Sequence, residues 1–180
     1  GFCLVGSEMC IRDRLQGEHT PETEEYGISS FTYRTSKPFD ADKLEAYLRE
    51  PDNWNGILRS KGFFWVAADH KIALEWAQAG GVKNVRPVGL WWCAVPEENM
   101  DFPEGERPDE QPDWDPQYGD RKQMLVFIGQ NMDEASIRAS LDACLLDEAL
   151  ANQGVDAWEA LESPFPTLEM APEEPEEAVA

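Results

Sequence analysis

Two runs of large apolar residues limit what this chain can fold into. In Arg59-Ser-Lys-Gly-Phe-Phe-Trp-Val-Ala67, a basic doublet split by one serine meets a glycine, and Phe63, Phe64, Trp65 and Val66 follow without a polar interruption. A short run of aromatic and β-branched residues that does not alternate with polar ones predicts a central strand covered on both faces. Gly62 permits a turn or a close backbone approach that a side chain would block. The run Gln123-Met-Leu-Val-Phe-Ile-Gly129 has the same character, and a basic pair, Arg121-Lys122, again stands before it. The two are expected to be neighbouring central strands of one sheet.

The chain has 180 residues, enough for one domain with a proper core plus tails. Its formal net charge of -21 argues against a nucleic-acid binder, which shows a basic face. It argues equally against docking on anionic lipid. So much acid is expected to serve solubility; the competing reading is an acidic surface that attracts a metal cation or a basic partner. No stretch approaches the ~20 apolar residues of a membrane-spanning helix, and Gly1-Phe-Cys-Leu-Val-Gly6 lacks the form of a secretory signal. Four cysteines at 3, 10, 93 and 144 show no metal-ligand spacing. Cys93 and Cys144 read as core residues, which fits a reducing, cytoplasmic setting.

Residues 1–14 have no helix or strand period and resemble a translated sequencing-adapter remnant, so they are expected to be non-native sequence. Residues 15–26 are a polar linker. Ile28 to Arg34 alternates, with Phe31 and Tyr33 on one side, as a half-buried strand does. Asp40 can cap a helix whose Leu44, Tyr47 and Leu48 share a face, with Pro51 after its end. Between Lys71 and Trp92 the Ala, Leu and Glu content favours helix. The two-residue spacing of Ile72, Leu74 and Trp76, with Gly80-Gly81 as a tight loop, instead predicts a hairpin. Residues 96–119 form an acidic, proline-rich insertion that is expected not to order itself, unless Trp114 pins it. Asp133 caps a second helix with Ile137, Leu141, Cys144 and Leu145 as its apolar stripe. A return segment follows, anchored by Trp158 and Phe165, and residues 169–180 are an acidic tail. The expectation is an α+β domain over 27–168: a mostly antiparallel sheet of about five strands with two helices on one face.

Catalytic signatures are missing. There is no G-x-x-x-x-G-K-[ST] to cradle a triphosphate and no G-x-S-x-G nucleophile turn. His70 reads as a loop residue. Glu18 and His19 are the candidates for an exposed zinc contact, and a solvated pair in a linker is the competing reading. Arg59, Lys61, Arg121 and Lys122 stand out in so acidic a chain. They either pair with neighbouring acids at strand ends or meet an anion on a partner domain. A small enzyme built on Arg59, Lys61 and Cys93 is a third reading.

Several separated blocks occur in order: Glu18-His-Thr-Pro-Glu-Thr-Glu-Glu-Tyr-Gly-Ile-Ser-Ser-Phe31, Arg59-Ser-Lys-Gly-Phe-Phe-Trp65, Glu75-Trp-Ala-Gln-Ala-Gly-Gly81, Gly119-Asp-Arg-Lys-Gln-Met-Leu-Val-Phe-Ile-Gly129 and Ser163-Pro-Phe-Pro166. Together they resemble the C-terminal domain of the CobW family from about Leu15 to Pro166. The resemblance implies the accessory or client-recognition part of a P-loop GTPase that delivers metal, commonly zinc. GTP, Mg and Zn would belong to an N-terminal domain carrying the P-loop and a Cys-x-Cys-Cys motif. Neither motif is present, so no catalytic or metal residue carries over, and the chain is expected to be inactive alone. The implied partners are that GTPase domain in cis and a client metalloprotein. The alternative is a stand-alone interaction module with no GTPase in cis.

Overall fold

The structure is a computed structural model that describes residues 27–103 and 105–168. The readings of 1–14, of the linker with Glu18 and His19, and of the tail 169–180 lie outside the described residues. Five strands form one sheet: β1 (Ile28–Thr35), β2 (Ile57–Phe64), β3 (Ile72–Ala79), β4 (Val82–Leu90) and β5 (Gln123–Gln130). Their order is β1-β5-β2-β3-β4, with every neighbouring pair antiparallel. The α+β expectation holds, and the two apolar runs are adjacent strands with β2 at the centre.

Two longer helices, α1 (Ala41–Arg49) and α2 (Glu134–Ala143), cover one face of the sheet. Both start where an aspartate side chain accepts a hydrogen bond from the third amide beyond it, Asp40 from Lys43 and Asp133 from Ser136. Leu44 and Tyr47 of α1 and Ile137 and Leu141 of α2 meet Phe31, Tyr33, Phe64, Trp76, Leu125 and Phe127 in the main core. Phe31 stacks on Phe127, and Trp76 meets it edge-on. Two short helices, α3 (Glu148–Ala151) and α4 (Val155–Trp158), close a second apolar cluster around Trp65, Trp91, Tyr118 and Trp158.

The central run is not covered on both faces as its composition suggests. β2 ends at Phe64, and the chain then leaves the sheet. Val66 bridges to Phe39, whereas Trp65 packs on Tyr118 and Trp158 in the second cluster. Gln123, fully buried, holds this exit: its Oε1 accepts from the Trp65 amide at 2.9 Å, and its Nε2 donates to the Trp65 carbonyl at 2.9 Å. The run is continuously apolar because it passes from one core into another.

Gly62 sits opposite Leu125, and a Cβ there would collide with the Met124 carbonyl oxygen. The hairpin is as expected, with Gly80-Gly81 turning and Ala79 facing Val82. The insertion departs from expectation. Trp92 packs edge-on against Phe102, Arg107 bridges Glu97 and Asp109, and Asp120 accepts hydrogen bonds from the Trp92 and Cys93 amides. Short 3-10 turns and ion pairs order it without a large core of its own.

Candidate functional site

The helices cover one face of the sheet, so the alternate side chains of all five strands stand on the other. The strand registers arrange them in three rows. Arg34, Met124, Phe63, Glu75 and Arg86 form the first row, and Thr32, Val126, Lys61, Ala77 and Asn84 the second. Ser30, Ile128, Arg59, Ala79 and Val82 form the third. Fourteen of these fifteen positions are exposed or half-exposed; Glu75 is the buried exception, only 4% accessible. This open face carries four cations, Arg34, Arg59, Lys61 and Arg86, against the single carboxylate of Glu75. In a chain of net charge -21 that is a local inversion of sign.

Glu75 is placed by the hairpin. The two-residue loop puts Arg86 directly opposite it, and Lys61 lies diagonally across on β2. Lys61 Nζ reaches Glu75 Oε1 at 2.9 Å, and Arg86 Nε donates to Oε2 at 2.6 Å. Burial pushes the Glu75 carboxyl up, but the hydrogen bonds and charges of Lys61 and Arg86 outweigh it and hold it below its ordinary value. The carboxylate is therefore ionised and neutralised on both sides. Arg34 and Arg59 are exposed, and their side chains make no hydrogen bond or ion pair among the described residues.

The four basic residues singled out in the sequence do not converge. Arg59 and Lys61 stand on the open face. Lys122 pairs with Asp113 of the insertion at 3.1 Å. Arg121 is buried beside the second cluster: its Nε donates to the His70 carbonyl, its Nη1 to the Tyr118 carbonyl, and its guanidinium lies over the Trp65 ring. His70 is a loop residue as expected, but a buried one, with Nδ1 3.2 Å from Arg121 Nη2 and Nε2 3.3 Å from Glu159 Oε1. Burial lowers its pKa, and Glu159 offsets that only in part.

Nothing here assembles a catalytic centre on Cys93. Its thiol touches the Tyr118 carbonyl in the second cluster, while Arg59 and Lys61 belong to the open sheet face. Burial pushes its pKa up to about 12, the reverse of an activated nucleophile. Cys144, pushed up to about 11 by burial, sits in the main core. Among the described residues no group of three or more His, Cys, Asp or Glu side chains could hold a metal ion, so they do not fit zinc. A groove of about 300 Å³ lies between Lys37, Tyr118, Asp142 and Glu148 and pairs no nucleophile with a base. Among the described residues no helix is long and apolar enough to cross a membrane.

Sequence reasoning found Arg59 and Lys61 but missed Arg34, Glu75 and Arg86. The signal for two of these was present. Once Gly80-Gly81 is read as a two-residue loop, residues equidistant from it face each other, and Glu75 and Arg86 form an opposite-charge pair. Arg34 required the pairing of β1 with β5, a long-range contact that no local pattern encodes.

The model described as "Cobalamin synthesis protein cobW C-terminal domain" matches residues 28–145. A curated relative, "Zinc-regulated GTPase metalloprotein activator 1" of Dictyostelium discoideum, is 37% identical over 149 residues, covering 80% of this chain and 30% of that protein. The chain thus spans less than a third of that relative's length. Among solved structures, Zn(II)-bound YjiA GTPase from E. coli is similar with a TM-score of 0.46 at 19% identity, over 72% of this chain and 33% of that one. A Zn(II)-bound triple mutant of YjiA GTPase is similar at a TM-score of 0.47 and 18% identity, with the same coverage.

Proposed function

The chain belongs to the cobW C-terminal domain family, and from that premise we propose that it is the accessory, client-recognition domain of a GTP-dependent metal chaperone. In this reading zinc is the cargo, and an N-terminal GTPase domain in cis binds the nucleotide and the metal in the cytoplasm. The observation that carries the reading is the open sheet face. Five strands backed by two helices make a stiff platform, and Arg59 and Lys61 stand on it among apolar residues. Such a face positions a protein surface rather than transforming a small molecule.

The platform's part in a cycle is mechanical. With the charged centre neutralised by the Lys61–Glu75–Arg86 cluster, the face can meet a partner without stranding a buried charge. A partner held there moves with the domain when the nucleotide state changes upstream. The test is to sequence source DNA upstream of Leu15. A continuous frame carrying G-x-x-x-x-G-K-[ST] and Cys-x-Cys-Cys supports the reading. An in-frame start near Leu15 with neither motif overturns it and leaves a separate interaction module.

A further inference from the structure

The chemistry of the partner can be read from the open face, on the premise that this domain docks a protein. Glu75 is matched by Lys61 and Arg86, so the cations left for a visitor are Arg34 and Arg59. They lie two strands and two rows apart, at opposite ends of a diagonal whose midpoint is Val126. With strands about 4.8 Å apart and a rise of about 3.3 Å per residue, that diagonal is about 16 Å between backbone positions. Met124 and Phe63 flank it, both half-buried by their neighbours and open on top.

We propose that this diagonal binds an extended acidic segment of a protein partner, with two carboxylates four residues apart on Arg34 and Arg59 and an apolar side chain between them on Val126. Residues four apart in an extended chain are about 13 Å apart and point the same way, within reach of two flexible arginines. Exposed guanidinium groups suit carboxylates as bidentate partners.

Size and charge decide against other occupants. The three rows span about 19 Å by 13 Å, roughly 250 Å² in plan, against the ~800 Å² that each partner buries in a standard protein–protein interface. A second copy would set four cations against four cations. A nucleic acid, whose charge repeats all along its length, is repelled by a chain of net charge -21.

The probe is a fluorescein-labelled peptide Ser-Glu-Ser-Leu-Ser-Glu-Ser, compared with its Glu-to-Lys counterpart and with an oligouridylate of similar length. Fluorescence anisotropy at low salt reads binding, and amide chemical shifts locate it. The expected result is binding of the acidic peptide alone, with shifts at Phe63, Val126 and Arg59. Combining Arg34→Glu with Arg59→Glu, neither of which has a partner to lose among the described residues, weakens it at least about tenfold. Binding that is absent, that survives the double reversal, that prefers the lysine peptide or oligouridylate, or a chain that elutes as a dimer, overturns the proposal. These outcomes do not depend on whether a GTPase frame lies upstream, so a failure here is distinguishable from a failure of the functional reading.

Discussion

The Glu75 cluster makes an asymmetric prediction about stability. Removing Lys61 and Arg86 together leaves a carboxylate, only 5% exposed, with neither of its cations. A buried charge stripped of its partners costs about 3–5 kcal/mol. Removing the carboxylate instead, by Glu75→Gln, leaves two cations that are 55% and 63% exposed and free to turn to water. That loss is about 1 kcal/mol. At roughly 2–4 °C per kcal/mol for a chain of this size, Lys61→Ala with Arg86→Ala melts at least about 4 °C below Glu75→Gln. Thermal and urea unfolding at neutral pH, followed by tryptophan fluorescence, measure the difference. The pH dependence sharpens it. Glu75 is held below its ordinary value of 4.5, so its contribution is present above that pH and lost as pH falls through the folded value. In the double-alanine variant only burial acts on Glu75, which raises its pKa, and the penalty shrinks as the pH is lowered. A double-alanine variant no less stable than Glu75→Gln would refute the reasoning, because Glu75 would then be solvated.

Three further outcomes are expected. Gly62→Ala forces a Cβ into the Met124 carbonyl in the middle of the sheet and should cost about 3 kcal/mol or more in urea unfolding, whereas Gly81→Ala, which meets nothing within 4 Å, costs far less. His70 is lowered from its ordinary 6.5 by burial, with Arg121 and Lys71 adding to the shift and Glu159 opposing it. Its contribution is therefore full above about pH 6.5 and lost as the pH falls toward the folded value, and urea midpoints between pH 7.5 and 5.5 should fall less steeply in His70→Gln. Cys93 and Cys144, raised to about 12 and about 11, should resist a thiol reagent in native protein and label fully in urea, as read by peptide mass mapping. Rapid native labelling of Cys93 would contradict its half-buried placement against the Tyr118 carbonyl.

Local signals carried most of the fold. Alternation in Ile28–Thr35, the Asp40 and Asp133 caps, and the Gly80-Gly81 loop each specify an element through interactions a few residues apart, and each is where the chain places it. The apolar run at Phe63–Val66 misled because composition cannot distinguish two covered faces of one strand from one strand that exits into a second core. The insertion is ordered against its composition because charge does what core volume does not: Arg107 pairs with Glu97 and Asp109 within it, and Asp120 ties its two flanks by accepting from the Trp92 and Cys93 amides. The candidate site was half legible. Arg59 and Lys61 were conspicuous in so acidic a chain, but which cations share a face depends on register, and the β1–β5 pairing joins residues about a hundred positions apart.

The proposed function makes this chain the accessory domain of a GTPase that lies in cis. The measurement that tests it most directly is GTP turnover by the chain alone, by the intact protein encoded in source DNA, and by that protein with residues 27–168 deleted. The result expected is no turnover by the chain alone, turnover by the intact protein, and an altered rate after the deletion. Hydrolysis by the chain alone, or an intact protein indifferent to losing these residues, would contradict it.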